Sequence, residues 1–337
     1  MRRKRGGPGL RRHRRSPGGP RRPRRGGLGI ALVALALIIG AAVWLFVGIG
    51  DSGRKGADLL QPPKLQPVPG SAKRARREGP PGIALIGGPT VDVSFKVPPR
   101  GGLLFDMKTG QVLWRRHPLS PLPIASLTKM MTALLVVKNA GPSDEVFIRH
   151  SSKTIPGSKV GVLPKHKDVR VEPLLYGLLL PSGNDAAVAL AEHVSKTQRK
   201  FAKLMNRSAR EMGLGCTRFS SPYGLQPSNK SCAADLAALA RADMRQRRIA
   251  RIVAHKSAHP RFPIKGGHLF VNNTNPLLKQ NYPGTIGLKT GDTDQAGMCF
   301  VGIVRHGSHE LGVVLLHSPN PAQQAEKLFS AGFRATG

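Results

Sequence analysis

Acidic residues are scarce in this chain of 337 residues: 18 Asp and Glu stand against 53 Lys and Arg, a formal charge of +35. That shortage excludes a charge-balanced surface and points to nucleic acid, anionic lipid or an acidic polymer as partner. Cysteine is scarce too, and three are too few for a disulfide framework to stand in for a core. Cys216 and Cys232 can pair or stay apart, whereas Cys299 lies in an apolar run and reads as a buried thiol. No internal repeat is present, which excludes a solenoid. A zinc-peptidase helix is missing as well: His255 and His259 are four apart, but Lys256 stands where the general-base Glu would be needed. What remains is a chain whose 40% hydrophobic content can fill a sizeable core, in one large domain or two ordinary ones.

Where the charge sits separates the partners. Twelve basic residues and no acid fall between Arg2 and Arg25, among Gly and Pro, so residues 1–27 read as a disordered basic tail. Leu28 to Ile49 carries no charged residue, and at about 1.5 Å per residue such a run crosses a hydrocarbon core of roughly 30 Å. Residues 28–50 are therefore expected to be a transmembrane anchor. Basic residues before it place the tail in the cytoplasm and the rest outside, as a single-pass protein of the cell membrane. Export after signal cleavage is the alternative, although no Ala-x-Ala site follows the apolar run. The membrane is thus an expected partner and nucleic acid is not, because topology and anionic head groups already account for the tail. Without the tail, 41 basic residues still face 18 acids, which implies affinity for anionic wall or membrane polymers. Residues 51–100, rich in Gly, Pro, Lys and Arg, read as an extracytoplasmic linker, and 101–337 as the folded domain.

Within that domain, Gly102–Asp106 and Gln111–Trp114 read as strands of a hairpin around Met107-Lys108-Thr109-Gly110. Apolar residues at spacings of three and four predict helices over Ser126–Lys138, Asn184–Val194, Lys200–Met212 and Ala233–Arg245. Strands return at Thr285–Lys289, Met298–Val304 and Leu311–Leu316. Strands, then helices, then strands predict an α/β domain whose sheet joins both ends of the chain.

Three short groups carry chemistry. Ser126 and Lys129, three apart at a helix start, project from one face, the spacing a nucleophile and its base require. Burial and a second cation are what would make that lysine neutral. Ser52-Gly53-Arg54-Lys55 has the same pattern inside the linker, so context, not pattern, selects Ser126. Ser182-Gly183-Asn184 precedes a helix and by itself reads as an N-cap; beside a nucleophile, its hydroxyl and amide can relay a proton and grip a substrate amide. Lys289-Thr290-Gly291 ends a strand, supplying a cation, a hydroxyl for a carboxylate and a bare surface for a peptide. The same triplet at Lys108-Thr109-Gly110 reads as turn chemistry.

Taken in order, Ser126-x-x-Lys129, Ser182-x-Asn184 and Lys289-Thr290-Gly291 resemble the three motifs of the penicillin-recognising serine enzymes. The flanks Pro123–Leu134, Tyr176–Ala187, Asn273–Leu278 and Gly287–Gly291 are similar to those of low-molecular-weight D-alanyl-D-alanine carboxypeptidases, over roughly Gly101 to Phe333. The resemblance implies a β-lactamase/transpeptidase-like α/β fold, an antiparallel sheet flanked by helices with an all-helical region, here preceded by one transmembrane helix. It implies that residues 101–337 form a penicillin-binding catalytic domain that removes the terminal D-Ala from peptidoglycan stem peptides, with β-lactams as covalent inhibitors and no cofactor or metal. By the same resemblance Ser126 is the acylated nucleophile, Lys129 its base and Ser182 a proton relay acting with Asn184. Lys289, Thr290 and Gly291 bind substrate, and the backbone N–H groups of Ser126 and Asp292 hold the oxyanion. Asp292 departs from the family, which usually has a non-acidic residue there, so weak activity or an altered substrate is implied. The β-rich C-terminal domain of many relatives is not in the sequence. The alternatives are a wall-peptide or penicillin-binding protein with little turnover and a class A β-lactamase-like hydrolase; the latter lacks a matching Glu-x-x-x-Asn segment.

Overall fold

The computed structural model describes residues 79–336, Pro89 excepted. Leu103, Leu104 and Phe105 are all fully buried, and successive side chains of a strand point to opposite faces, so this strand needs cover on both sides. It lies in β1 (Gly101–Asp106), from which β2 (Val112–Arg116) turns back. In the turn, Asp106 Oδ1 accepts from the N–H groups of Lys108 (2.9 Å) and Thr109 (2.6 Å), so this Lys-Thr-Gly triplet is engaged in closing the hairpin. The last three strands are β3 (Thr285–Gly291), β4 (Cys299–His306) and β5 (His309–Leu316). The antiparallel sheet has the order β2-β1-β5-β4-β3, with Gly101 opposite Leu316, so the two ends of the domain meet at its centre as expected. β3 forms one edge.

One face of the sheet packs on a helical region. Its central helix, α1 (Thr128–Asn139), is buried at every position from Thr128 to Val136, as a helix enclosed on all sides must be. Around it lie α2 (Val171–Leu179), α3 (Asn184–Ser195), α4 (Gln198–Glu211), α5 (Ala233–Met244) and α6 (Arg247–Val253). The other face is covered by α7 (Pro321–Thr336), which opens on a proline, where a missing N–H does no harm. Its Ala325, Leu328, Phe329 and Gly332 are buried at helical spacing, and the first three pack with Leu104, Phe300, Val313 and Leu315. Gly332 is required there: a Cβ would fall 2.8 Å from Leu311 Cδ1 and 2.9 Å from Leu104 Cδ2.

The four helices expected from periodicity are present within a few residues of their predicted ends. α2, α6 and α7 went unread. In α2, Leu174, Leu175, Leu178 and Leu179 are buried with Val171 and Gly177, which leaves little polar face to reveal a period. The described residues before β1 form no long element, yet Ile83 joins the larger core and Val91 and Val93 the smaller one, with Trp114 Nε1 donating to Val93 O at 3.0 Å. Cys216 and Cys232 are disulfide-bonded, with Cα atoms 5.6 Å apart, and Cys299 is a free, buried thiol.

The membrane reading is corrected. Among the described residues no helix is long and apolar enough to cross a membrane. The longest of them, α7, has 16 residues, about 24 Å at 1.5 Å per residue, and it is amphipathic. The described residues therefore form an α/β sheet-and-helix fold with no membrane-spanning helix among them, and neither the membrane partner nor the single-pass localisation is retained. The segment Leu28–Ile49 on which they rested, like Ser52–Lys55, lies outside the described residues.

Phe329→Ala, by emptying the contact between α7 and the sheet, is expected to lower unfolding free energy by about 3–5 kcal/mol in a urea titration. Phe270→Ala, at a side chain 73% exposed, is expected to change it by no more than about 0.5 kcal/mol.

Candidate active site

Ser126 lies in the 3₁₀ turn Ala125–Leu127 that leads into α1. The turn starts from Ala125 at φ 45°, a left-handed conformation that costs an L-residue roughly 1–2 kcal/mol. Two glycines let the chain close around it. A Cβ on Gly224 would lie 2.0 Å from Ala125 O, and one on Gly291 would lie 2.9 Å from Ser126 N. Gly291 thus brings the edge strand β3 against the serine, which is why the third motif must end in glycine.

Lys129 is the first residue of α1 after Thr128 and is completely buried. Its Nζ lies 2.8 Å from Ser126 Oγ, 2.7 Å from Asn184 Oδ1 and 2.9 Å from Tyr223 O. An ammonium would donate to all three. A neutral amine has two N–H bonds and one lone pair, so with Asn184 and the carbonyl as obligate acceptors the lone pair falls to Ser126, whose O–H then donates. Burial pushes the Lys129 pKa well below that of an ordinary lysine, the Lys289 cation pushes it further, and Asp185 opposes both. Lys289 is itself 1% exposed, donates to Thr290 O at 2.9 Å, and is lowered by burial to about 7.

Ser182 and Asn184 do not cap α3. Gly183 is the cap residue and no side chain accepts there. Instead, Asn184 Oδ1 holds Lys129 and its Nδ2 donates to Pro156 O at 2.7 Å, so the amide bridges the lysine and the loop before α2. Asp185 secures the same loop, accepting from the N–H groups of Val160 and Gly161, each at 2.9 Å. Ser182 has φ 65° and a buried hydroxyl without a hydrogen-bond partner. Strain plus an orphaned hydroxyl is the combination expected of a group held ready for a ligand.

Ser126, Ser182, Thr290, Gly291 and Asp292 line one cavity of about 480 Å³, and Lys129, Asn184 and Lys289 form its buried support. All eight residues expected from the sequence are therefore brought together. Thr274 and Ser158 also line it, and neither was read as a site residue. Thr274 Oγ1 lies 2.6 Å from Thr290 Oγ1. It is positioned by Asn273, whose Nδ2 donates to Val253 O and His255 O, and by Asn275, which caps the turn at Pro276. The Asn-x-Asn-Pro run was the available signal, since Asn then Pro marks a helix start. Tyr223 acts through its carbonyl, which every residue possesses, so no sequence signal existed. His255 and His259 part company, the first stacked on Tyr176 and the second against Phe270. Among the described residues the metal-like grouping is Cys216, Cys232 and Asp235, whose sulfurs are already joined.

Residues 95–320 match the S11 peptidase family model, described as D-alanyl-D-alanine carboxypeptidase. The chain is 34% identical to the D-alanyl-D-alanine carboxypeptidase DacB2 of Mycobacterium tuberculosis over 70% of its own length and 82% of that protein's. It is 31% identical to the D-alanyl-D-alanine carboxypeptidase DacF of Bacillus subtilis, over 67% of its own length and 59% of that relative's. In three dimensions it is similar to the crystal structure of the Streptomyces K15 DD-transpeptidase, with a TM-score of 0.67, 30% identity and coverage of 72% of this chain and all of that one. With the family match extending over more than half of its length and the three motifs converging on one cavity, the chain belongs to the D-alanyl-D-alanine carboxypeptidase family of serine peptidases.

Proposed function

We propose that this protein is a serine-type D-Ala-D-Ala carboxypeptidase that removes the terminal D-Ala from peptidoglycan stem pentapeptides through an acyl-enzyme on Ser126. The observation that carries the reading is the 2.8 Å contact between Ser126 Oγ and the fully buried Nζ of Lys129, whose proton affinity is depressed by burial and by Lys289. In this mechanism neutral Lys129 takes the Ser126 proton as Oγ adds to the carbonyl of the penultimate D-Ala. The backbone N–H groups of Ser126 and Asp292 stabilise the oxyanion, an effect of about 3–4 kcal/mol where it has been removed elsewhere. As the tetrahedral intermediate collapses, the C–N bond breaks and the proton passes from Lys129 through the Ser182 hydroxyl to the departing amine. Water then cleaves the ester, with Lys129 again as base. Asn184 keeps Lys129 on target, and the paired hydroxyls of Thr274 and Thr290 face the substrate's terminal carboxylate.

Ser126→Ala is expected to abolish both covalent labelling by a fluorescent penicillin and D-Ala release from a pentapeptide; persistent labelling would remove Ser126 from the role. Lys129→Ala is expected to slow acylation by about 10²–10⁴, read from the time course of labelling.

The pH dependence has a definite sign. Lys129 must be neutral to act, so acylation falls as pH drops through its depressed pKa. Removing the Lys289 cation in Lys289→Gln relieves one cause of that depression. The acidic limb of the β-lactam acylation profile is therefore expected to move to higher pH. A limb that stayed in place would show that Lys289 does not tune the base.

A further inference from the structure

The cavity that contains Ser126 is lined by hydroxyls, the Asn320 amide and apolar groups, and among the described residues lining it one side chain has a formal charge, the carboxylate of Asp292. No Lys, Arg or His lines it. The two nearby lysines, Lys129 and Lys289, are buried behind the wall and do not line the cavity. Asp292 is exposed at residue level and also borders a neighbouring hollow, which Arg100, Asp294 and His317 line with it. Its field reaches the inner wall, because Asp292 contributes, after burial, to pushing the Cys299 thiol up to about 12. A protein of net charge +35 thus presents a local negative group beside its nucleophile, where an anionic substrate terminus gains nothing from it.

A peptide that ends in a carboxylate can still profit from Asp292 if it carries a cation close by. A stem peptide whose third residue is a diamino acid has one, the side-chain amine next to the residue that acylates the serine. That amine is an ammonium in an unlinked stem and a neutral amide once it has served as acceptor in a cross-link. We propose that Asp292 is a specificity-determining residue that selects stem peptides with a free third-residue ammonium over stems in which that amine is acylated. The inference deepens the carboxypeptidase reading and rests on it. Its consequence is that the enzyme trims stems that have not yet been consumed as acceptors.

The test uses the protein with two synthetic pentapeptides that differ only in whether the third-residue amine is free or acetylated. The wild-type protein is expected to release D-Ala from the free-amine peptide with a kcat/KM about fivefold higher, mainly through KM, and to lose that preference as salt is raised. Asp292→Asn is expected to bring the ratio close to one, and Asp292→Lys to invert it. Penicillin labelling, followed in parallel, reports folding and the nucleophile independently of the peptide's amine. Intact labelling with a wild-type ratio near one, or a preference that survives Asp292→Asn, overturns the inference and leaves the carboxypeptidase reading standing. Absence of both labelling and D-Ala release from either peptide overturns the two together.

Discussion

An amine kept completely out of water beside a serine hydroxyl is the interaction on which the rest of this structure depends. Burial disfavours the charged form of a lysine and pulls its pKa down. Lys129 is in that position, and the three acceptors around it, Ser126 Oγ, Asn184 Oδ1 and Tyr223 O, come from three separate parts of the chain. Each must be delivered to within hydrogen-bonding distance, and the fold can be read as the means of doing so. The turn at Ala125 supplies the serine, the start of α3 supplies the amide, and the segment before Gly224 supplies the carbonyl and the room for it.

The second lysine lowers the pKa of the first and depends on a different part of the architecture. Lys289 belongs to the edge strand β3, which is placed by the pairing of β4 and β5 and ultimately by β1, from the opposite end of the domain. Contacts between residues so distant in sequence close large loops, which favours slow folding but gives a rigid platform. Rigidity matters because an amine and a hydroxyl held a fraction of an ångström out of line lose much of their advantage. α7 contributes by sealing the far face of the same sheet with Leu328 and Phe329.

Electrostatics divides the molecule into scales. Overall the chain is strongly cationic, which favours approach to an anionic polymer. At the nucleophile the sign is local, with depressed lysines behind the wall and Asp292 in front of it. On the proposed reading, long-range attraction and short-range selection fall to different residues.

Much of this was legible in the sequence, for physical reasons that can be named. A serine and lysine three apart on a helix are local, and so are the strand-ending Lys289-Thr290-Gly291 and the amphipathic α4; local spacing survives in one dimension. The chain's own decoys show the limit: Lys108-Thr109-Gly110 has the composition of the third motif but closes a hairpin on Asp106. A membrane anchor was read from an apolar run outside the described residues, and none of the described helices has that character. α2 was hidden because a helix buried nearly all round shows little polar face, and the pairing of Cys216 with Cys232 was undecided because spacing does not specify distance. The sequence by itself determined which side chains possess the chemistry. Only the tertiary structure decided that Lys129 is stripped of water, that Asn184 serves the lysine and the loop at Pro156, and that Thr274 joins Thr290, because burial and the partners of a polar atom are properties of neighbours distant along the chain.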